Sequence, residues 1–325
     1  MTLTNPEVTV IIPVLNEEKY IKGCLDSLLR QTFPLERTEC LIIDGCSDDS
    51  TVEICEEYAD KAPIRILKNE MRKTTYALNM GIAEARGKYI IRLDAHADFA
   101  PDYIEKCVHY LESKPEIENV GGIAVTVGRG KMGSAIADML STKFGVGGSS
   151  FRTGGEGYVD TVPFGAFRKE LFDKIGLFNH NLPRSEDNDI NARIRAAGGK
   201  IWLAKDIEFT YYCRDTVPGI LKMALQNGNA LFRTLKENKK AMSIRHFIPF
   251  LFLLSLVVFP PLCFLHPVFF WIFMAELFCY LVLDFYFSFA GKSIKNGLIT
   301  LWLYPLFHIC YGAGSLLGLL GIKLY

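Results

Sequence analysis

The residues of this chain best suited to chemistry are acidic, and three groups of them stand where strand gives way to loop or loop to helix. The apolar run Tyr89 to Leu93 delivers Asp94 and His96 on alternate positions, so both side chains leave an extended chain on the same side. A carboxylate and an imidazole presented together can hold a divalent cation, and such a cation stabilises the charge that grows on a departing diphosphate. D-x-H triplets also arise by chance. The run Cys40 to Asp44 ends in a carboxylate and is followed by Ser47, Asp48, Asp49 and Ser50. These either accept hydrogen bonds from a nucleobase or ribose or simply cap a turn ahead of a helix. The third group, Ser185-Glu186-Asp187-Asn188-Asp189, precedes a helix-like stretch carrying Arg193 and Arg195. It reads either as an N-cap with carboxylates offsetting the helix dipole, or as the source of a general base that takes a proton from an attacking hydroxyl.

Elements able to position these residues follow from the periodicity of the first two thirds. Val8 to Val14, Cys40 to Asp44, Ile64 to Lys68 and Tyr89 to Asp94 are strand-length apolar runs, separated by helical stretches such as Glu18 to Leu29 and Thr75 to Ala85. That alternation implies an α/β domain with a parallel, doubly wound sheet, in which ligands bind beyond the carboxyl ends of the strands. Asp44 and Asp94 both occupy that position. From Val120 to Tyr212 the pattern is less regular, and the Gly-rich passage Gly145 to Gly157 is either a mobile loop over a site or a plain surface loop.

The remainder belongs to a different solvent. Gly219 to Leu235 is amphipathic, with Ile220, Leu221, Ala224, Leu225, Leu231, Phe232 and Leu235 on one face, as expected of a helix lying in a membrane interface. Beyond it, Phe247 to Leu265, Val268 to Phe289 and Leu298 to Leu320 are almost free of charge. Each runs to roughly 19 to 23 residues, enough to cross about 30 Å of hydrocarbon at about 1.5 Å per residue. Three transmembrane helices are therefore expected, with residues 1–215 as a catalytic domain, 216–246 as an interfacial basic segment and 247–325 in the bilayer. Lys236, Lys239, Lys240, Arg245 and His246 precede the first span, Lys292 and Lys295 lie between the second and third, and the His266-Pro267 turn has no Lys or Arg. Positive residues stay inside, so the large domain is expected on the cytoplasmic side of a cell membrane. Glu276 and His308, ionisable and deep in spans two and three, are expected to interact. Gly314 and Gly318 have the spacing of a close helix contact, with a neighbouring helix or with a second copy of the chain.

Composition narrows the functions further. The 325 residues carry 36 basic and 36 acidic side chains, a balance that argues against a nucleic-acid partner. Nine cysteines show neither a CxxC pair nor a regular spacing and read as free thiols.

Taken in order, VTVIIPVLNEE (Val8–Glu18), IIDGCSDDST (Ile42–Thr51), NEMRKTTYALNMG (Asn69–Gly81), IIRLDAHAD (Ile90–Asp98) and SEDND (Ser185–Asp189) resemble glycosyltransferase family 2 and its GT-A fold. The similarity runs from about Val8 to about Arg214. Within the family, LDAHAD and PFGAFRKELFDKIGLF (Pro163–Phe178) are similar to bacterial enzymes of succinoglycan-type exopolysaccharide assembly. The resemblance implies an inverting transfer from a nucleoside-diphosphate sugar. It places Pro13 and Glu17 beside the nucleotide, Asp44 on its base, and Lys73 at the nucleobase or diphosphate. It sets Asp94 and His96 on the family's D-x-D metal motif, Asp187 as the base, and Glu186 as an aid in placing the acceptor. A polyprenyl-linked saccharide acceptor and contact with membrane lipid are implied as well.

Two departures from the family pattern carry consequences. His96 replaces the usual second Asp, and a nitrogen ligand suits Mn2+ better than Mg2+. The Q-x-x-R-W signature of processive synthases is missing, since Gln226 is followed by Asn229 and Ala230, so single-sugar addition is expected. Competing readings are a polyprenyl-phosphate sugar synthase of the same fold, a nucleotide-sugar-binding scaffold without catalysis, and a nucleotidyltransferase. The last needs a Gly-rich basic loop where this chain has PVLNEEKY.

Overall fold

A computed structural model describes residues 5–182 and 184–324. The chain divides into two compact units, the first formed by residues up to Val125 together with Gly154–Tyr211, the second by Thr126–Thr153 and the chain from Tyr212 onward. In chain order the elements begin with β1 (Val8–Val14), α1 (Ile21–Leu29), β2 (Thr38–Asp44), α2 (Thr51–Glu56), β3 (Ile64–Lys68), α3 (Thr74–Glu84) and β4 (Tyr89–Arg92). There follow β5 (Ala97–Phe99), α4 (Tyr103–Ser113), β6 (Ile117–Val127), α5 (Gly130–Leu140), α6 (Lys143–Val146), α7 (Ser150–Thr153), β7 (Gly157–Tyr158) and β8 (Ala166–Arg168). The last are α8 (Leu171–Ile175), α9 (Glu186–Ala196), β9 (Lys200–Tyr212), α10 (Val217–Glu237), α11 (Ile248–Leu262), α12 (Pro267–Phe289) and α13 (Ile294–Leu319).

The first unit is built on one sheet with strand order β3-β2-β1-β4-β8-β6-β9-β5, β7 pairing with β9. Strands β3, β2, β1 and β4 are parallel, as the alternation of runs and helices predicts, because helices on both faces leave strands that are buried on both sides. Val8, Val10, Ile11 and Ile12 of β1 and Leu41, Ile42 and Ile43 of β2 have no exposed surface. The register sets Val14 opposite Asp44 and Asp44 opposite Lys68, so the carboxyl ends of β1, β2 and β3 finish level. On the other side of β4 the sheet continues antiparallel, through β8 and then β6. This half escapes a sequence reading because β5, β7 and β8 are very short and the long strands β6 and β9 mix charged residues or glycine with their apolar ones.

The second unit is helical. Segment 126–153, which the sequence assigns to the catalytic domain, belongs here instead. Of the Gly-rich passage, Gly145 and Val146 fall in α6, which is docked against other helices of the unit, and Ser150–Thr153 form α7, so a loop describes only the remainder. The Phe144 ring packs against Tyr280, Phe287, Tyr304 and His308, and the Phe144 carbonyl accepts a hydrogen bond from His308 Nε2 at 3.0 Å. The apolar face of α10 is likewise occupied: Ile220, Ala224, Gly228 and Leu231 are buried, and α10 packs along α13. At Gly228, Gly314 and Gly318 the backbones approach so closely that a Cβ would stand 1.9 Å from the Tyr311 carbonyl oxygen, 2.0 Å from that of Leu225 and 2.4 Å from that of Asn229. The small-residue spacing therefore serves a contact within the chain.

The three expected spans fare unequally. Among the described residues α12 alone is long and apolar enough to cross a membrane. Helix α11 is 15 residues, about 22 Å at 1.5 Å per residue, and ends at Pro260–Pro261. Helix α13 is long enough at 26 residues, but its polar and small positions Gly297, Thr300, His308, Gly312 and Ser315 are buried against neighbours. Glu276 and His308 do not meet. Glu276 Oε1 accepts from Ser255 Oγ at 2.6 Å, whereas His308 Nδ1 lies 2.8 Å from the Tyr280 hydroxyl. With Nε2 donating to the Phe144 carbonyl, Nδ1 is the acceptor from Tyr280. All nine cysteines are free.

Gly314→Val places branched carbon in a space already filled by the α10 backbone, and overpacking of this kind costs about 1–3 kcal/mol. Thermal unfolding of the detergent-purified chain is expected to show that loss, while Leu319→Ala, on a residue 53% exposed, stays within about 0.5 kcal/mol. Equal melting of the two variants would remove the glycine contact as a stabilising feature.

Candidate active site

The loops that leave β1 and β2 are sewn to each other. Asn16 N–H donates to Ser47 Oγ at 3.0 Å, Asp48 N–H returns a bond to Asn16 Oδ1 at 3.0 Å, and Glu17 N–H donates to Thr51 Oγ1 at 2.7 Å. Asp44 is buried at the end of β2, where its carboxylate accepts from Cys46 N–H (3.0 Å), Ser47 N–H (3.2 Å) and Ser47 Oγ (2.6 Å). Ser47 Oγ thus links Asp44 to the backbone that leads into Glu17. Pro13 is half-buried in β1 opposite Ile43. Lys73 stands exposed at the N-cap of α3, with Nζ 5.9 Å over the Tyr76 ring, and forms no ion pair with the carboxylates described below. Tyr76 in turn stacks on His180 at 3.7 Å.

Arg92 closes β4, and Asp94 and His96 lie in the turn that follows, so a turn and not the expected extended strand brings these two together. His96 Nδ1 lies 2.7 Å from Asp94 Oδ1 and 3.4 Å from Glu17 Oε1. Its ring is held between the edges of Tyr20 and Tyr211, at 6.5 and 5.6 Å between centroids. Burial by itself lowers the pKa of an imidazole. Here the Asp94 charge and the hydrogen bonds to Asp94 and Glu17 outweigh it and carry His96 up to about 11. For Asp94 burial acts to raise the pKa, and the cations His96 and Arg92 reverse it, leaving the carboxyl below its ordinary value. Without a metal, His96 is therefore an imidazolium bridging two carboxylates.

This donor set suits a divalent cation as part of a shared site. Oδ1 of Asp94 and Nδ1 of His96 are adjacent, as two ligands of one ion must be, and Glu17 adds an oxygen close by. Among the described residues no cluster of three or more His, Cys, Asp or Glu is arranged to enclose an ion unaided. Cations bound through one or two protein carboxylates complete their shell with substrate phosphates and water. Ligation through Nδ1 requires the His96 proton to leave.

The third acidic group is anchored from an unexpected direction. Ser185 precedes α9 in the left-handed region (φ +64°) and makes no side-chain cap bond, so the N-cap reading of this segment does not hold. Glu186 and Asp187 turn to Arg92 instead: Nη1 lies 2.8 Å from Asp187 Oδ1 and Nη2 3.2 Å from Glu186 Oε1. Arg92 is 6% exposed, and its guanidinium lies 5.6 Å over the Phe164 ring. Burial pushes the Asp187 carboxyl up to about 7, opposed by Arg92 and by the Phe164 N–H, and reinforced by the charges of Glu186 and Asp94. Glu17, Asp94 and His96 thus form one direct cluster and Arg92, Glu186 and Asp187 another, joined through β4. Arg92 and Phe164 are the contributors that sequence reasoning missed. The available signal was the position of Arg92, two residues before Asp94.

Backbone conformation marks the same place independently. The non-glycine residues with φ between +55° and +64° are Asn16, Cys46, Arg72, Phe164 and Ser185. Each adjoins one of the segments just described, preceding Glu17, following Asp44, preceding Lys73, contacting Asp187 and preceding Glu186. A left-handed L-residue is a strained one, and such strain persists where surrounding structure fixes it, commonly at functional sites.

Comparison with known proteins agrees with the geometry. The family described as Glycosyl transferase family 2 matches residues 9–176, just over half of the chain. A Methanococcus voltae dolichyl N-acetyl-alpha-D-glucosaminyl phosphate 3-beta-D-2,3-diacetamido-2,3-dideoxy-beta-D-glucuronosyltransferase is 33% identical over 259 residues, covering 77% of this chain and 80% of that protein. The succinoglycan biosynthesis protein ExoA of Rhizobium meliloti is 28% identical over 251 residues, 76% of each. In fold, the chain is similar to a Pyrobaculum calidifontis mannosyltransferase solved with GDP-Man and Mn2+ (TM-score 0.62, 18% identity, 97% of this chain and 87% of that one). With a parallel sheet whose strand ends gather carboxylates, and with a family match across that sheet, the chain belongs to glycosyltransferase family 2 and is a glycosyltransferase.

Proposed function

We propose that this enzyme moves a single sugar, with inversion, from a nucleoside-diphosphate sugar to a hydroxyl of a polyprenyl-linked saccharide, at the cytoplasmic face of the cell membrane, in assembly of a cell-envelope or exocellular polysaccharide. The observation that carries the reading is Asp187, a partly exposed carboxylate held by the buried Arg92 and connected through β4 to Asp94 and His96. Asp187 takes the proton of the acceptor hydroxyl as that oxygen attacks the anomeric carbon. The bond from that carbon to the diphosphate breaks in line, and the nucleoside diphosphate leaves. Glu186 helps to place the acceptor, and Asp44, Pro13, Glu17 and Lys73 border the nucleotide. Asp94 and His96 would hold a divalent cation, whose charge would offset that of the departing diphosphate.

A lipid-linked acceptor is supported by two features. The relative from Methanococcus voltae acts, by its name, on a dolichyl-phosphate-linked sugar. The exposed apolar side chains of α11 and α12, among them Leu251, Val257, Trp271, Phe278 and Leu281, suit hydrocarbon rather than water. In this reading α11, α12 and α13 are all embedded, and the basic stretch before α11 and Lys292 and Lys295 after α12 stay on the cytoplasmic side.

The direct test offers a panel of radiolabelled nucleotide sugars to membranes containing the protein and follows label into lipid. Transfer to an existing lipid-linked saccharide is the expected outcome; label on polyprenyl phosphate alone would favour the synthase reading. Asp187→Asn is expected to lower transfer by about 10²–10⁴-fold while sparing nucleotide binding, and full retained activity would remove Asp187 from the mechanism.

Because a base works only when ionised, kcat/KM is expected to fall about tenfold per pH unit below the Asp187 value of about 7 and to level off above it. A rate that does not change between pH 5.5 and 8 contradicts this assignment. Transfer is also expected to run faster with Mn2+ than with Mg2+ at equal concentration, and His96→Asp to narrow or reverse that preference. Equal rates with the two ions in the unmodified enzyme would count against His96 as a ligand.

A further inference from the structure

On the glycosyltransferase reading given above, we propose that Arg92 is a positioning residue for the transfer: its guanidinium clamps Glu186 and Asp187 onto the strand that leads into Asp94, and so fixes the carboxylate that receives the acceptor's proton.

The location of Arg92 makes little sense as a stabilising device. It lies at the end of β4, is 6% exposed, and stands in register with Ile11 of β1 and, one strand further, Leu41 of β2. Burying a guanidinium costs desolvation that its partners do little more than repay, and an apolar side chain at such a position commonly stabilises as well or better. The ion pairs elsewhere in this unit are different in kind. Arg65 and Arg86, which serve the buried Glu39, are each more than a third exposed or close to it, and Arg37 meets Glu7 at the surface. Arg92 alone among these arginines is buried, with partners that are themselves only partly exposed.

Its contacts are those of a clamp. One terminal nitrogen goes to each carboxylate, 2.8 Å to Asp187 and 3.2 Å to Glu186, across 95 and 94 residues of chain. Two adjacent carboxylates repel each other, and a planar fork with a donor for each is the side chain that holds both in fixed orientation; an ammonium is a single point. Phe164 braces the assembly from below, its ring 5.6 Å from the guanidinium and its backbone in the left-handed region. Ser185, also left-handed, directs the first turn of α9 toward Arg92. Arg92 Nε is buried with no partner, so the fork is aimed at the carboxylates at the expense of its third direction. Arg92 closes β4 and Asp94 and His96 lie in the turn directly after it, so one short stretch of chain sets the position of the base and of the diphosphate-facing pair.

The test uses full-length protein in detergent and compares Arg92→Met, Arg92→Ala, Arg92→Lys and Asp187→Asn with the unmodified enzyme. Binding of UDP and of GDP in the presence of MnCl2 is measured, along with kcat and KM for whichever nucleotide sugar the unmodified enzyme turns over. Arg92→Met is expected to bind nucleoside diphosphate and donor within about threefold of normal and to lose about 100-fold or more in kcat. Arg92→Lys should fall between the two, and millimolar guanidinium should raise kcat of Arg92→Ala by about fivefold or more without affecting Asp187→Asn. A kcat for Arg92→Met within about threefold of normal overturns the proposal. So does a kcat for Arg92→Lys no better than for Arg92→Met together with no guanidinium rescue, the pattern of a merely structural residue. If Arg92→Met does not fold, Arg92→Lys decides: reduced kcat with unchanged KM supports the clamp, and unchanged kcat overturns it. An unmodified enzyme that binds UDP or GDP but turns over no nucleotide sugar removes the transferase reading and this one with it, whereas an active enzyme with an equally active Arg92→Met removes this one alone.

Discussion

Carboxylates gathered at the ends of neighbouring strands repel one another, and the site exists because two cations are inserted among four of them. His96 bridges Glu17 and Asp94, and Arg92 bridges Glu186 and Asp187. Both cations come from one stretch of five residues running off β4. The balance is incomplete, since four carboxylates face two positive groups, and a diphosphate would add further negative charge. Electrostatics alone thus disfavours donor binding unless another cation accompanies it, which is a physical reason for a divalent metal to enter with the nucleotide sugar.

The price of assembling this site is visible in the backbone. Among the described residues five non-glycine positions adopt left-handed conformations, each costing on the order of 1–3 kcal/mol, and all five border the same cluster of segments. Strain scattered over a fold is a collection of accidents; strain collected at the carboxyl ends of β1, β2 and β4 and at the start of α9 is a constraint on where side chains point. The loops after β1 and β2 are reciprocally bonded through Asn16 and Ser47, which holds the strained residues without help from a ligand.

How much of this was legible in the sequence depends on how local each determinant is. The parallel strands were legible because continuous apolar runs between helical stretches have few alternative structures, and Asp44 and Asp94 followed as the residues at their ends. The role of Arg92 was not, because it is set by partners more than ninety residues away and nothing in IIRLDAHAD distinguishes a buried arginine from one at a surface. Asp44 had two readings, and the structure shows the bonds to its own turn, which leave the nucleotide reading open to the test proposed above. The third apolar run shows a different limit. Its composition is that of a span, yet Gly314, Gly318, Thr300 and Ser315 are where α13 meets other helices, and a hydropathy pattern does not say whether lipid or protein covers a face. The same limit hid the helical partners of segment 126–153, whose Phe144 looks like any loop phenylalanine until α12 and α13 are in place.

That arrangement bears on where selectivity resides. Polar groups in apolar helices are expensive unless paired, and in the second unit they are paired internally: Glu276 with Ser255, His308 with Tyr280 and the Phe144 carbonyl, Asp284 with Ser288, and Asn229 with the carbonyls of Gly314 and Ile322. Glu276, His308 and Asn229 thus tie helix to helix, Asp284 is bonded within α12, and what α12 offers outward is almost wholly apolar. An apolar surface of this kind distinguishes one hydrocarbon chain from another poorly, because added methylenes change transfer energies by similar small amounts along any chain. Sharp discrimination between hydroxyls is instead a property of polar groups that a wrong partner leaves unpaired, and the carboxylates with their two cations around β4 are groups of that kind.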